Sequence, residues 1–143
     1  MKAENRQNIS IMVVDDEAVV RQLLERNMRG EGYEVRVAPD GEVAWKLIHE
    51  KAPDIVISDM KMPRMDGFTL LKKVKGEYPT IGFIVMTAFG DHYSIKEAML
   101  LGADEYISKP FKSIEVALIV ERTYWSVKKA NELKSSSCDK ATI

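Results

Sequence analysis

The chain has 143 residues and a formal net charge of −1, and 45% of its residues are hydrophobic. This length fits one domain, the apolar share argues against wholesale disorder, and the balanced charge argues against a nucleic-acid-binding surface spread over the whole protein. The single cysteine, Cys138, excludes an intrachain disulfide and suits a reducing cytoplasm, where we expect the protein to be. No apolar stretch reaches the roughly 18 residues of a membrane span, so we expect no membrane insertion.

Five short apolar segments alternate with longer amphipathic segments along the chain. The apolar segments are rich in Val and Ile, as buried parallel strands tend to be. They cover residues 9–14, 33–38, 54–58, 81–86 and 105–108. In the second segment Val35 and Val37 alternate with Glu34 and Arg36, which predicts a strand at the edge of the sheet.

The amphipathic segments have the spacing of helices that bury one face. In the first of them the apolar stripe is Val20, Leu23, Leu24 and Met28, at i, i+3, i+4 and i+8. The fifth is predicted to begin near Ser113 and to run for about 30 Å, longer than the sheet is deep. Strands that alternate with helices predict an α/β fold of the (βα)5 type, a five-stranded parallel sheet doubly wound by helices.

Residues with reactive side chains follow four of the five predicted strands. Asp15 and Asp16 follow the first strand, Asp59 the third, Thr87 the fourth and Lys109 the fifth. Because the carboxyl ends of parallel strands meet at one edge of a sheet, where ligands of open α/β sheets bind, we expect these side chains to lie together.

The charges of this set point to a divalent cation. Three clustered carboxylates cannot all stay ionised cheaply, and one lysine compensates for them only in part. Mg²⁺ prefers carboxylate, water and phosphate oxygens as ligands. Mg²⁺, an ammonium group and a hydroxyl together suit the oxygens of a phosphoryl group, and one carboxylate could then form an aspartyl phosphate.

Four segments carry a resemblance to a known family. They are "VVDDEA" (13–18), "SDMKMPRMDG" (58–67), "MTAFGD" (86–91) and "ADEYISKPF" (103–111). Over residues 9–127 the chain closely resembles the CheY-like receiver domain of two-component response regulators, and it is most similar to receivers of the nitrogen-regulator (NtrC-like) class. The resemblance implies a flavodoxin-like sheet of order 2-1-3-4-5. Residues 1–8 are then expected to be flexible, and residues 128–143 to form a helix extension and a disordered tail.

The resemblance implies a role for each site residue in turn. Asp59 is the expected phosphoacceptor. Asp15 and Asp16 are expected to serve Mg²⁺, with Asp16 as the direct ligand, and Asp59 and the backbone carbonyl of Lys61 are expected to complete the protein's share of the metal shell.

Three further residues are implied to respond to the phosphoryl group. Lys109 should pair with it, Thr87 should donate a hydrogen bond to it, and Tyr106 occupies the aromatic switch position. The bond between Lys109 and Pro110 is expected to be cis.

The implied function is a phosphorylation-dependent signalling switch. A sensor histidine kinase or a phosphotransfer protein is the expected donor, and a downstream output protein or domain is the expected receiver of the signal. The signal is expected to pass through the face made by the fourth helix, the fifth strand and the fifth helix. We expect no enzyme activity beyond self-phosphorylation and self-dephosphorylation, and no direct contact with nucleic acid.

Several alternatives stay open at this point. Asp15 and Asp16 could cap the helix that follows, since Asp is a favoured N-cap residue. The chain could be a degenerate receiver that acts only as an interaction module. It could also be a Mg²⁺-dependent aspartyl phosphohydrolase, although such enzymes place a second acid two residues after the nucleophile, where this chain has Lys61.

The distal part of the fifth helix also has two interpretations. Tyr124, Trp125 and Val127 lie there among charged residues. They could pack on the domain itself, or the overhanging helix could form a homodimer or a linker. The chain could be a stand-alone receiver or a fragment of a longer regulator.

Overall fold

The computed structural model describes the backbone of residues 8–141 and the side chains of residues 8–133. Residues 1–7, most of the segment expected to be flexible, lie outside this range. Strands and helices alternate throughout, as predicted. The elements are β1 (Ser10–Val14), α1 (Ala18–Gly30), β2 (Glu34–Ala38), α2 (Gly41–Glu50), β3 (Ile55–Asp59), α3 (Gly67–Glu77), β4 (Gly82–Ala88), α4 (His92–Leu100), β5 (Glu105–Lys109) and α5 (Ser113–Ala141).

The five strands form one parallel sheet of order β2-β1-β3-β4-β5, which confirms the expected fold class and strand order. In the register of the sheet, Val13 lies between Val37 of β2 and Ile57 of β3. Strand β2 lies at the edge, as its alternating pattern predicted, with Val35 buried and Glu34 exposed.

Helices cover both faces of the sheet, because successive side chains of a strand point to opposite faces. On one face, residues such as Met12, Val56 and Phe83 pack with helices α2, α3 and α4. On the other face, residues such as Ile11 and Ile57 pack with α1 and α5. Burial on both sides explains why the inner strands read as continuous apolar runs.

The strands extend slightly farther toward their carboxyl ends than the apolar runs predicted. Asp59 is the last residue of β3, Lys109 is the last of β5, and Thr87 is the last but one of β4. Backbone pairing continues past the apolar residues, with Asp59 opposite Met86 and Ala88 opposite Lys109. These three side chains therefore stand on hydrogen-bonded backbone, which restricts where they can lie.

Helix α5 has 29 residues and extends beyond the sheet. Tyr124 packs against the core, and Val127 lies beside Gly82 at the start of β4, as the packing interpretation expected. Trp125 is different, since 46% of its surface is exposed. Residues 128–143 were expected to end in a disordered tail, but the backbone stays helical as far as Ala141. No Gly or Pro in this segment stops the helix, which gains one hydrogen bond per added residue.

Among the described residues, no helix combines the length and the apolar character that crossing a membrane requires.

Candidate functional site

The carboxyl ends of β1, β3, β4 and β5 surround a cleft of about 270 Å³. Strand β1 lies between β2 and β3, so the connections that leave β1 and enter β3 pass on opposite sides of the sheet. This is the switch point at which open α/β sheets bind ligands. The cleft is lined by Asp16, Glu17, Asp59, Met60, Lys61, Met86, Thr87, Ala88, Asp91 and Lys109.

The ammonium group of Lys109 connects two acids from different strands. Its Nζ donates to Asp15 Oδ2 at 2.9 Å and to Asp59 Oδ2 at 3.2 Å. Glu17 Oε1 lies 3.6 Å from the same nitrogen. The peptide bond from Lys109 to Pro110 is cis, as the resemblance implied. The structure thus brings three elements, the β1–α1 loop, β3 and β5, to one positive charge.

Burial and mutual attraction shift the pKa values of Asp15 and Lys109. Burial raises the pKa of Asp15 above its usual range, and the hydrogen bonds from the Glu17 amide and from Lys109 only partly oppose the rise. Burial also tends to lower the pKa of Lys109, but its hydrogen bonds to and attraction by Asp15 and Asp59 together raise the pKa above its usual range. The raised pKa keeps Lys109 charged at neutral pH, whereas burial makes the ionised form of Asp15 energetically costly.

Asp59 is held from the backbone side as well. Its Oδ1 accepts hydrogen bonds from the Met60 amide at 2.8 Å and from the Lys61 amide at 3.4 Å. The start of α3 packs directly behind it, because a Cβ placed on Gly67 would lie 2.3 Å from the Asp59 carbonyl oxygen. Only glycine allows this approach, so the nucleophile candidate has a fixed backbone position.

The loop between β1 and α1 is held by Asp15. Its Oδ1 accepts from the Glu17 amide at 2.9 Å, and its own amide donates to Ala38 O at 3.2 Å. The N-cap residue of α1 is Glu17, whose side chain makes no capping hydrogen bond. The capping interpretation of Asp15 and Asp16 is therefore wrong, because neither acid stands at the N-cap position. Asp16 is exposed at the cleft instead.

The acids of the cleft have the composition of a site for a hard cation. One carboxylate oxygen from each of Asp15, Asp16, Glu17 and Asp59 lies within 4.8 Å of the others. When all four are ionised, Lys109 compensates for one of these charges, and the rest repel each other. Oxygen ligands of this kind fit Mg²⁺. Lys61, whose carbonyl is an expected ligand, lines the same cleft.

Thr87 presents an unusual hydroxyl group at the floor of the cleft. The residue is 3% exposed, and its Oγ1 is buried without a hydrogen-bond partner. A buried polar atom that lacks a partner costs free energy unless a ligand or a rearrangement satisfies it. Tyr106, on the neighbouring strand, points away from the cleft and is 41% exposed. Thr87 thus lines the same cleft as the acids, whereas Tyr106 does not line it.

Two residues near the site were not singled out from the sequence. Glu17 joins the acids, and the signal was its place in the run of three acids from Asp15. Arg21 donates from Nη1 to the Asp15 carbonyl at 2.7 Å, and the signal was a cation in the first turn of a helix, where the helix dipole disfavours it.

The sequence profile described as "Response regulator receiver domain" matches residues 11–121. The chain belongs to the response regulator receiver family. Receivers of two-component systems are signalling modules and not enzymes in the usual sense, and they typically bind Mg²⁺ at such an acidic cluster.

Named relatives support the same assignment. The receiver is 38% identical over 112 residues to the DNA-binding transcriptional regulator NtrC of Escherichia coli strain K12, covering 78% of this chain and 24% of that protein. It is 39% identical over 106 residues to the probable transcriptional regulator ycf27 of Guillardia theta, covering 74% of this chain and 41% of that one. The chain thus spans less than half the length of these relatives.

A solved structure agrees with the fold. The crystal structure of NtrX from Brucella abortus superposes with a TM-score of 0.84 at 32% sequence identity. The match covers 88% of this chain and 29% of that chain.

The buried pair predicts a pH-dependent effect of removing the lysine. We expect Lys109→Met to lower the free energy of unfolding by about 1–3 kcal/mol at about pH 7, because buried Asp15 loses its charged partner. Since the pKa of Asp15 is already raised and rises further without Lys109, the loss should shrink at an acidic pH value, because a protonated Asp15 no longer needs a charged partner. Urea unfolding at both pH values measures this difference.

The exposed Lys112 supplies the matched control, and Lys112→Met should have little effect at either pH. An equal loss at both pH values for Lys109→Met, or no loss at all, would contradict the account of the pair.

Proposed function

We propose that this receiver accepts a phosphoryl group on Asp59, with Mg²⁺ bound at the acidic cluster, and passes the signal to an output through helix α4, strand β5 and helix α5. The observation that carries the proposal is the convergence of Asp15, Asp59 and Lys109 beside the unpartnered hydroxyl of Thr87. Residues 9–127 are the proposed receiver unit, and its proposed location is the cytoplasm.

The proposed reaction is a transfer to a carboxylate. An oxygen of Asp59 attacks the phosphorus of the donor, a new P–O bond forms, and the bond from phosphorus to the leaving group breaks with its electron pair. From a kinase the leaving group is an imidazole nitrogen, and from a small donor such as acetyl phosphate it is a carboxylate. The amides of Met60 and Lys61 orient the Asp59 carboxylate for this attack.

The other residues of the cleft have two proposed roles, to bind Mg²⁺ and to pair with the phosphoryl group. Asp15, Asp16, Asp59 and the carbonyl of Lys61 are the proposed Mg²⁺ ligands, with Asp16 as a direct one. Mg²⁺, when bound, offsets the charge that collects on the phosphoryl oxygens. Lys109 is in position to pair with a phosphoryl oxygen, because its ammonium already lies 3.2 Å from Asp59.

The proposed switch starts from Thr87. A phosphoryl group on Asp59 adds about −1.5 to −2 charges and strong acceptor oxygens, which the unpartnered Thr87 hydroxyl can serve. Movement of Thr87 would leave space for Tyr106 to turn inward from its exposed position. Complete switching needs about 5.5 kcal/mol of differential stabilisation. A few charge-assisted hydrogen bonds of roughly 1.5–3 kcal/mol each supply it.

The proposed function implies a phosphoryl donor and an output partner. We propose a sensor histidine kinase or a phosphotransfer protein as donor, and an output protein or domain that reads α4, β5 and α5, without direct contact of this chain with nucleic acid. Leu100 and Leu118 on these helices are 79% and 63% exposed. Trp125 of α5 is exposed as well, and we propose a homodimer in the phosphorylated state through the exposed apolar residues of these helices.

The direct test of the proposed reaction is uptake of one phosphoryl group. With acetyl phosphate and Mg²⁺, intact mass spectrometry should show one added phosphoryl group on the parent protein and none on Asp59→Asn. Chelation of Mg²⁺ should prevent uptake by the parent. If the parent gains no mass, or if Asp59→Asn gains as much as the parent, the proposed phosphoacceptor is wrong, and the interaction-module alternative gains support.

The proposed switch predicts separate effects for two substitutions of Thr87. Beryllofluoride, an analogue of the phosphoryl group, should shift the Tyr106 ring resonances of the parent and raise its mass in light scattering. Thr87→Ser keeps the hydroxyl and should respond in the same way, whereas Thr87→Ala should bind the analogue and show neither response. A full Tyr106 response in Thr87→Ala would rule out this route.

A further inference from the structure

Arg21 makes a contact that the proposed chemistry does not use. It lies in the first turn of α1, half-buried, and its Nη1 donates to the backbone carbonyl of Asp15 at 2.7 Å. Hydrogen bonds from a charged donor are about twice as strong as those between neutral groups. Arg21 therefore ties the body of α1 to the first residue of the acidic loop.

The position of Arg21 is unfavourable for a cation that has no specific partner. The N-terminal end of a helix carries partial positive charge, which repels a guanidinium group. The first turn of α1 contains no acid that would offset this repulsion. The contact with the Asp15 carbonyl compensates for this and places the guanidinium there.

The loop that Arg21 holds lacks the support that other helices of the domain have. Helices α2, α3 and α4 each begin with an aspartate whose side chain caps the helix: Asp40, Asp66 and Asp91. At the start of α1 the side chain of Glu17 makes no such bond. The three consecutive acids also repel each other, which favours spreading of the loop.

The fixed carbonyl determines where Asp16 can point. The carbonyl of Asp15 and the amide of Asp16 belong to one planar peptide unit. Arg21 holds the oxygen end of this unit, and the Asp15 carboxylate holds the following Glu17 amide. The side chain of Asp16 is exposed, and the residue is thus positioned through its backbone.

We infer that Arg21 is a positioning residue for the cation site: by holding the Asp15 carbonyl it keeps the Asp16 carboxylate gathered with Asp15 and Asp59 for Mg²⁺. This inference rests on the proposed function in one respect, namely that the acidic cluster binds Mg²⁺.

Charge and positioning predict opposite signs for the loss of Arg21. A positive charge beside a cation site weakens cation binding, so removal of the charge alone would tighten Mg²⁺ binding. If Arg21 positions the loop, its removal weakens Mg²⁺ binding instead. Loss of a residue that orients the metal ligands without binding the metal itself typically lowers metal affinity 10- to 100-fold.

The experiment is a titration of the metal-free protein with Mg²⁺ alone, followed by backbone amide NMR signals of residues 15–17 and of Asp59. Arg21→Gln should weaken Mg²⁺ binding by about 10-fold or more. In the metal-free Arg21→Gln variant, the amide signals of Asp16 and Glu17 should also differ from those of the metal-free parent. Arg21→Lys keeps a charged donor and should restore part of the affinity.

Arg29 supplies a matched control on the same helix. Its Nη2 donates to the Val35 carbonyl at 3.1 Å, at the far end of α1 from the acids. Arg29→Gln removes the same charge and the same kind of hydrogen bond, and Mg²⁺ affinity should stay within about 2-fold of the parent value. Arg21→Met, which keeps the apolar stem, serves as a second variant should Arg21→Gln fail to fold, and urea unfolding reports the stability of each protein.

The outcomes separate the two claims. If the parent binds Mg²⁺ and the Arg21→Gln and Arg21→Met variants bind it equally well or more tightly, the inference about Arg21 is wrong and the proposed function stands. If the parent shows no Mg²⁺ binding at residues 15–17 and Asp59, the proposed function fails, and the inference fails with it.

Discussion

The ion pairs of one ammonium group hold the functional edge of this domain together. Lys109 lies on the last strand of the sheet, yet its Nζ reaches Asp15 beyond β1 and Asp59 at the end of β3. Burial makes the ionised form of Asp15 costly, and Lys109 keeps that cost tolerable. The acids that remain uncompensated form an oxygen-rich cluster that fits a divalent cation. The clustered carboxylates therefore both destabilise one another by repulsion and provide the ligands for a cation.

The sheet connects this cluster to the surface that we propose as the output face. Thr87 and Lys109 stand on adjacent strands, and the neighbouring Tyr106 faces outward at the surface that we propose as the output face. The unpartnered hydroxyl of Thr87, a residue that lines the cleft, is free to donate to a new acceptor there. Because β4 leads into α4, the switch that we propose would carry a small shift of Thr87 to that helix, as in proteins that alternate between two packed arrangements.

Much of this arrangement could be predicted from the sequence. The Val- and Ile-rich runs predicted the strands, because strands buried on both faces need continuous apolar residues. The strand ends then placed Asp59 and Lys109 together, since parallel strands share one carboxyl edge. The contact of Lys109 with Asp15 joins residues 94 positions apart, and the burial of Thr87 depends on packing that periodicity does not describe. The capping interpretation failed because the helix begins one residue later than the acids suggested.

The measurement that tests this account most directly is the free energy of unfolding as a function of Mg²⁺ concentration at constant ionic strength. A ligand that binds only the folded state adds RT ln(1 + [L]/Kd), so the stability of the parent should rise steadily with Mg²⁺. Asp16→Asn, which removes an exposed acid of the cluster, should show a much smaller rise. A parent whose stability does not depend on Mg²⁺, or an Asp16→Asn variant that responds as fully as the parent, would contradict the claim that these acids form a cation site.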